Sequence, residues 1–127
     1  MCCADKGPTI AVGRVMDTEE ILGGYNPLSW TENSKWVSTR ESFIFSLDKN
    51  DVDKNIISFV KNESHAIYSY QNYLPNFGDN DLCFGSCPDA IYAPVCVSKD
   101  YQIPIRSTSE RFAWINWEVF SVDKLTI

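Results

Sequence analysis

Ile21-Leu22-Gly23-Gly24-Tyr25-Asn26-Pro27-Leu28-Ser29-Trp30, followed after eleven residues by Ser42-Phe43-Ile44-Phe45-Ser46-Leu47, is the stretch that decides how this chain folds. Two adjacent glycines behind an apolar pair suggest a strand that needs either positive φ or close approach of another group. Asn26-Pro27 then turns the chain, and Trp30 offers a large anchor for a core. In Ser42 to Leu47, Phe43, Phe45 and Leu47 alternate with Ile44. Both faces of that strand are therefore expected to meet apolar surroundings, as at the centre of a sandwich. Packing is announced here before any chemistry.

The rest of the chain also reads as short strands. Thr9 to Val15 is rich in β-formers and ends at a turn around Asp17-Thr18, with Glu20 to Gly24 returning as a hairpin. Asn33 to Glu41 reads as a loop with one helical turn. Asp48 to Lys54 reads as a charged turn. Asn55 to Val60 and His65 to Tyr70 are expected to form a hairpin across Lys61-Asn62-Glu63-Ser64. Gln71 to Asp81 is the longest irregular stretch, and loops of this kind carry function more often than cores do. Asp81 to Phe84 is a short strand. Irregular edge structure runs to Pro104, and Arg111 to Val122, with Trp114, Trp117 and Phe120, closes the fold. Neither repeats nor low-complexity segments interrupt the chain.

Several of these segments, in order, resemble a TLDc domain. Lys6-Gly7-Pro8-Thr9-Ile10, Gly23 to Leu28 with Trp30, and Ser42 to Leu47 are similar to its middle. Phe77-Gly78 with Asp81-Leu82, and Trp117-Glu118-Val119-Phe120, are similar to its end. The wording is closest to versions found in large fungal protein families, and the likeness runs from Lys6 to Val122. It implies a mainly β fold: an antiparallel sandwich with few short helices, forming one domain over residues 1–127. It also implies a non-catalytic role in protection against oxidative stress, with subunits of the vacuolar proton-pumping ATPase as partners. The family's domain begins upstream of the Lys-Gly-Pro-Thr stretch. Met1 is therefore expected to be an internal methionine or the product of a truncated gene model, with an exposed apolar face and aggregation as the hazard. The same likeness makes Glu118 a candidate cap for a buried polar network.

Composition bounds the remaining possibilities. With 127 residues, 44% of them hydrophobic and 22% charged, the chain suits one globular core rather than disorder. Its seventeen aromatic residues favour strands. Without an apolar run near the roughly 20 residues of a membrane helix, membrane insertion is not expected. The opening residues do not read as a signal peptide, so a cytoplasmic protein is expected. Net charge is −6, and Asn62 to Ser98 contains neither Lys nor Arg beside Glu63, Asp79, Asp81 and Asp89. That sign disfavours nucleic acid. Asp79 and Asp81, on the long loop, are the expected contacts for a basic protein partner. The plainer alternative is solvated loop carboxylates.

Five cysteines and one histidine hold what reactive chemistry there is. Cys83, Cys87 and Cys96 with His65 make a Cys3His set on paper, but their spacing fits no usual zinc pattern. No metal or cofactor is expected. Cys2-Cys3 at the start lack the polybasic neighbours that accompany stable acylation. Asp51, Asp53 and Asn55 imitate a calcium loop, yet Ile56 replaces its glycine and Asn62 its final glutamate. His65 reads as a hydrogen-bonded edge residue rather than a base. A thiol-based redox enzyme using Cys83, Cys87 or Cys96 is the alternative to an interaction module, and an inactive fragment is a third reading. Gly23, Gly24, Tyr25, Trp30, Phe43, Phe45, Phe77 and Gly78 are read as structural.

Overall fold

The structure, a computed structural model, describes residues 7–28, 35–69, 75–79, 81–84, 96, 98–108 and 112–122. Trp30, Cys2, Cys3, Cys87 and Asp89 lie outside them. Among the described residues nine strands follow one another: β1 (Thr9–Val15), β2 (Glu20–Asn26), β3 (Lys35–Val37), β4 (Phe43–Asp48), β5 (Ile56–Phe59), β6 (Ile67–Ser69), β7 (Pro75–Phe77), β8 (Leu82–Cys83) and β9 (Trp114–Ser121). Two antiparallel sheets result, ordered β5-β4-β2-β1-β9 and β3-β6-β7-β8. They face each other in a sandwich-like arrangement, the architecture expected from the sequence.

The β1–β2 hairpin turns at Asp17, whose φ is 64°. Thr18 ties the turn by donating from Oγ1 to the Val15 carbonyl and accepting from the Glu20 N–H. At the far end of β2, Asn26 Oδ1 accepts from the Leu28 N–H and makes the turn read from Asn26-Pro27. Alternation along β1 and β2 sends Ala11, Val15 and Leu22 inward, where they meet Ile44 of β4 and Ile67, Phe77, Leu82 and Phe84 of the other sheet.

The glycine pair works through close approach and not through positive φ. A Cβ on Gly24 would lie 2.6 Å from two atoms of the Phe77 ring, so that ring of the second sheet rests directly on the β2 backbone. A Cβ on Gly23, on the opposite face, would collide with the Phe45 ring. One glycine therefore lets the sheets close, and the other lets an aromatic ring lie flat across the strand.

Four expectations are corrected. The loop around Trp36 and Val37 contains β3, paired with β6. The irregular stretch contains β7, which pairs with β6 and β8. The segments Asn55 to Val60 and His65 to Tyr70 do not pair: β5 joins β4, while β6 belongs to the other sheet, and a short 3-10 turn at Glu63–His65 carries the chain across. Nor does β4 lie between two layers: its outer face meets apolar side chains of its own sheet only. Ser42, Ile44 and Ser46 point into the core, whereas Phe43, Phe45 and Leu47 lie on the outer face with Tyr25, Ile57 and Phe59. There Tyr25 stacks on Phe43 at 5.3 Å, and Phe43 meets Phe59 at 5.9 Å. Ile57, Phe59 and Phe120 remain about half exposed.

Tyr101 ties the two layers together. It is fully buried, its hydroxyl donates to the Ala66 carbonyl ahead of β6 at 2.8 Å, and it lies 2.6 Å from Ser42 Oγ at the head of β4. Burial pushes its phenol well above the usual range, although the hydrogen bond with Ser42 pulls the other way. At the other flank the Phe84 ring stacks on Trp114 at 4.6 Å, joining β8 to β9.

Candidate functional site

The acidic stretch singled out by its charge forms a hydrogen-bonded network around the segment 98–101. Gly78 has φ 65° and begins the turn that swings Asp81 inward. A side chain there would be strained, and its Cβ would collide with the Asp81 carboxylate. Asp81 Oδ2 accepts from the backbone N–H groups of Lys99, Asp100 and Tyr101 at 2.9, 3.0 and 3.0 Å, and Oδ1 accepts from Asp100 N–H at 3.1 Å. The residue is only 2% exposed. Burial raises its pKa from the ordinary 3.8 to about 6, despite those three donors.

Asp100 extends the network. Its Oδ1 accepts from Asn62 Nδ2 at 2.8 Å, and its Oδ2 accepts from the Asp79 N–H at 2.8 Å. Asn62 Nδ2 also lies 2.9 Å from His65 Nδ1. His65 Nδ1 also lies 3.6 Å from Asp100 Oδ1, so the ring is held beside both side chains. The ring packs against Trp36 at 4.5 Å. His65 is thus an orienting and packing residue of this network.

Asp79 and Asp81, paired by the sequence reading, therefore sit in opposite environments. Asp81 is inside, its carboxylate committed to backbone donors. Asp79 is outside, with a half-exposed side chain whose Oδ2 accepts from Lys99 Nζ at 3.1 Å. Glu118 is exposed on the outer face of β9, opposite to Trp117 and Val119. It caps no buried network among the described residues. Phe77 and Gly78 are brought next to Asp81, while Gly23, Gly24, Tyr25, Phe43 and Phe45 lie in the sheet that covers them.

Cys83 and Cys96 are both buried. Desolvation pushes the Cys96 thiol up to about 12, outweighing the nearby Arg106 charge. The Cys83 carbonyl accepts from Trp114 Nε1 at 3.3 Å. Among the described residues no group of three or more His, Cys, Asp or Glu side chains is placed to hold a metal ion. No helix there is long and apolar enough to cross a membrane.

Sequence reasoning did not find a second polar feature, a cleft of about 510 Å³ where β2 begins and β4 ends. On its wall Arg106 Nε donates to Glu20 Oε1 and Oε2 at 3.2 and 3.1 Å, and Nη2 donates to Oε1 at 2.9 Å. The guanidinium also lies 4.7 Å above the Phe112 ring. Ser46, Asp48, Asp53, Lys54, Ile56, Ile105 and Ser107 complete the lining. These residues come from four separate parts of the chain, so no local motif could have announced them.

Among sequence families, the TLDc domain model matches residues 1–123. No curated protein matches the sequence.

Proposed function

The chain belongs to the TLDc domain family, and from that membership we propose that it is a non-catalytic protein-interaction module serving resistance to oxidative stress in the cytoplasm. One observation carries the non-catalytic reading. The groups that could have done chemistry are spent on the fold: Asp81 on three backbone donors, His65 Nδ1 on Asn62, and Cys96 as a buried thiol held protonated. A reactive thiol needs a lowered pKa and access to its substrate. In the native protein at pH 8, Cys83 and Cys96 are expected to react with a thiol reagent far more slowly than in urea. Rapid labelling of either one in the folded chain would favour the redox alternative.

The partner's approach is assigned to the acidic rim at Asp79, the carboxylate of this network that faces solvent. Vacuolar proton-pumping ATPase subunits are the first candidates, on the strength of the family resemblance. Asp79→Lys is expected to weaken capture of such a subunit by about 2–5-fold, as loss and reversal of a rim charge does, and to flatten the salt dependence of binding. Equal capture by both forms at low and high salt would remove Asp79 from the interface. Failure of every isolated subunit to bind would remove this partner.

A further inference from the structure

We infer that the cleft between the start of β2 and the end of β4 binds a primary alkylammonium group, the chemistry shared by a lysine side chain and a free aliphatic amine. The inference stands apart from the Asp79 reading, because the cleft lies at the opposite end of β4 from Ser42 and Tyr101.

Charge decides the sign of the ligand. Arg106 is matched by Glu20 through three N–H···O contacts and is covered by the Phe112 ring, so it does not present a free positive charge to the cleft. What remains is the pair Asp48 and Asp53 against the single cation Lys54. A protein of net charge −6 adds a background of the same sign. An anion would meet more repulsion than attraction here, and a cation the reverse.

Ser46 supplies a second, independent sign of a ligand. Its side chain projects from the core face of β4 and lines the cleft, although the residue is only 7% exposed. Its hydroxyl makes no hydrogen bond to another described residue. The residue is more than nine-tenths buried, and the cleft is the side on which its hydroxyl can be reached. Ile105, fully buried, and Ile56, partly buried, form the apolar part of the lining. A four- or five-carbon alkyl stem lies along such a surface while its ammonium reaches polar groups, the way lysine side chains pack elsewhere. The cleft volume, about 510 Å³, falls in the ordinary range for small-ligand sites, about 300–1,000 Å³.

The test is an amide-detected NMR titration of the full chain with four probes. They are cadaverine, the lysine derivative acetyl-lysine-methylamide, its uncharged norleucine counterpart, and glutarate. The two amines are expected to shift the signals of Ser46, Asp48, Asp53 and Ile56, with the norleucine derivative and glutarate inert. Tighter binding of the lysine derivative identifies a protein side chain as the source, and tighter binding of cadaverine a free amine. Asp48→Asn and Asp53→Asn should each weaken amine binding about 2–5-fold, the range for a partly solvated ion pair. Asp48→Asn retains an oxygen for the Asn50 N–H that Asp48 Oδ1 now accepts at 2.9 Å, so its fold is preserved. The inference is overturned if the amines shift no cleft signal, if norleucine or glutarate derivatives shift them equally, or if the double Asn variant binds as the parent does.

Discussion

Asp81→Ala is expected to lower the unfolding free energy by about 3–5 kcal/mol, read as a fall in the urea midpoint at pH 7. The carboxylate is the acceptor for the N–H groups of Lys99, Asp100 and Tyr101, and alanine leaves all three without it. The Asp100 and Tyr101 donors are buried; each such donor left unsatisfied costs about 1–3 kcal/mol, and a domain of this size has only about 5–15 kcal/mol in total. The loss spreads further, because the segment it releases carries Tyr101, whose hydroxyl joins Ala66 and Ser42 across the two sheets. Asp81→Asn is the informative companion. An amide oxygen placed at the Oδ2 position still faces all three donors, while its NH2 meets the Asp100 N–H now accepted by Oδ1 at 3.1 Å. Asparagine should therefore cost less than alanine.

The same residue fixes a pH dependence. Its folded pKa, about 6, lies above the ordinary 3.8 because burial disfavours the charged form. Between those values the folded chain keeps a proton that the unfolded chain has released. The stability linked to Asp81 is thus fully present below about 3.8 and is lost as the pH rises through about 6. The full difference is at most about 3 kcal/mol. Parent protein should be more resistant to urea at pH 5 than at pH 7 by part of that amount, and Asp81→Asn should flatten the slope. An unchanged slope in that variant, or an Asp81→Ala midpoint equal to the parent's, would mean that the carboxylate does not hold the 98–101 segment.

Strand chemistry in this protein is legible where β-formers and apolar residues run for five or more positions. β1, β2, β4 and β9 announce themselves through Thr9 to Val15, Ile21 to Tyr25, Phe43 to Leu47 and the Trp-rich close. β3 and β7, three residues each, escaped because they stand inside polar stretches, Asn33 to Glu41 and Gln71 to Asp81, whereas the equally short β6 sits in the β-rich run His65 to Tyr70. Pro75 also argues against a strand, yet it stands at the first position of β7, where a missing N–H is tolerated. The false hairpin of β5 with β6 has a different cause. Two β-rich runs joined by four polar residues look like partners, and nothing local records that each finds a better one further away. Asp81 was read as a surface charge because its stretch is acidic throughout. The signal for burial was Gly78, three residues earlier, whose positive φ aims the chain inward. Pairing Glu20 with Arg106, 86 residues apart, lies beyond any local reading.

Phe77→Ala should cost about 3–5 kcal/mol, the usual result of truncating a fully buried phenylalanine, and it should do so through a contact that the glycine pair makes legible. The ring is fully buried, faces Gly24 from across the sandwich, and meets Tyr101 edge-on at 6.5 Å. Removing it empties the space over β2 and takes away the surface against which Tyr101 is held. Gly24→Ala approaches the same contact from the other side. Its Cβ would stand 2.6 Å from the ring, and the ring, packed on all sides, has little room to withdraw, so this variant should lose about 1–3 kcal/mol by overpacking. The two changes compensate in part, because the cavity left by Phe77→Ala receives the methyl that Gly24→Ala adds. Urea unfolding of the parent, both single variants and the double variant should therefore give a coupling energy of about 1–2 kcal/mol, with the double variant more stable than the sum of the single losses requires. Strict additivity would show that Phe77 and β2 do not touch, and with that the closure of the two sheets over Gly24 would fail.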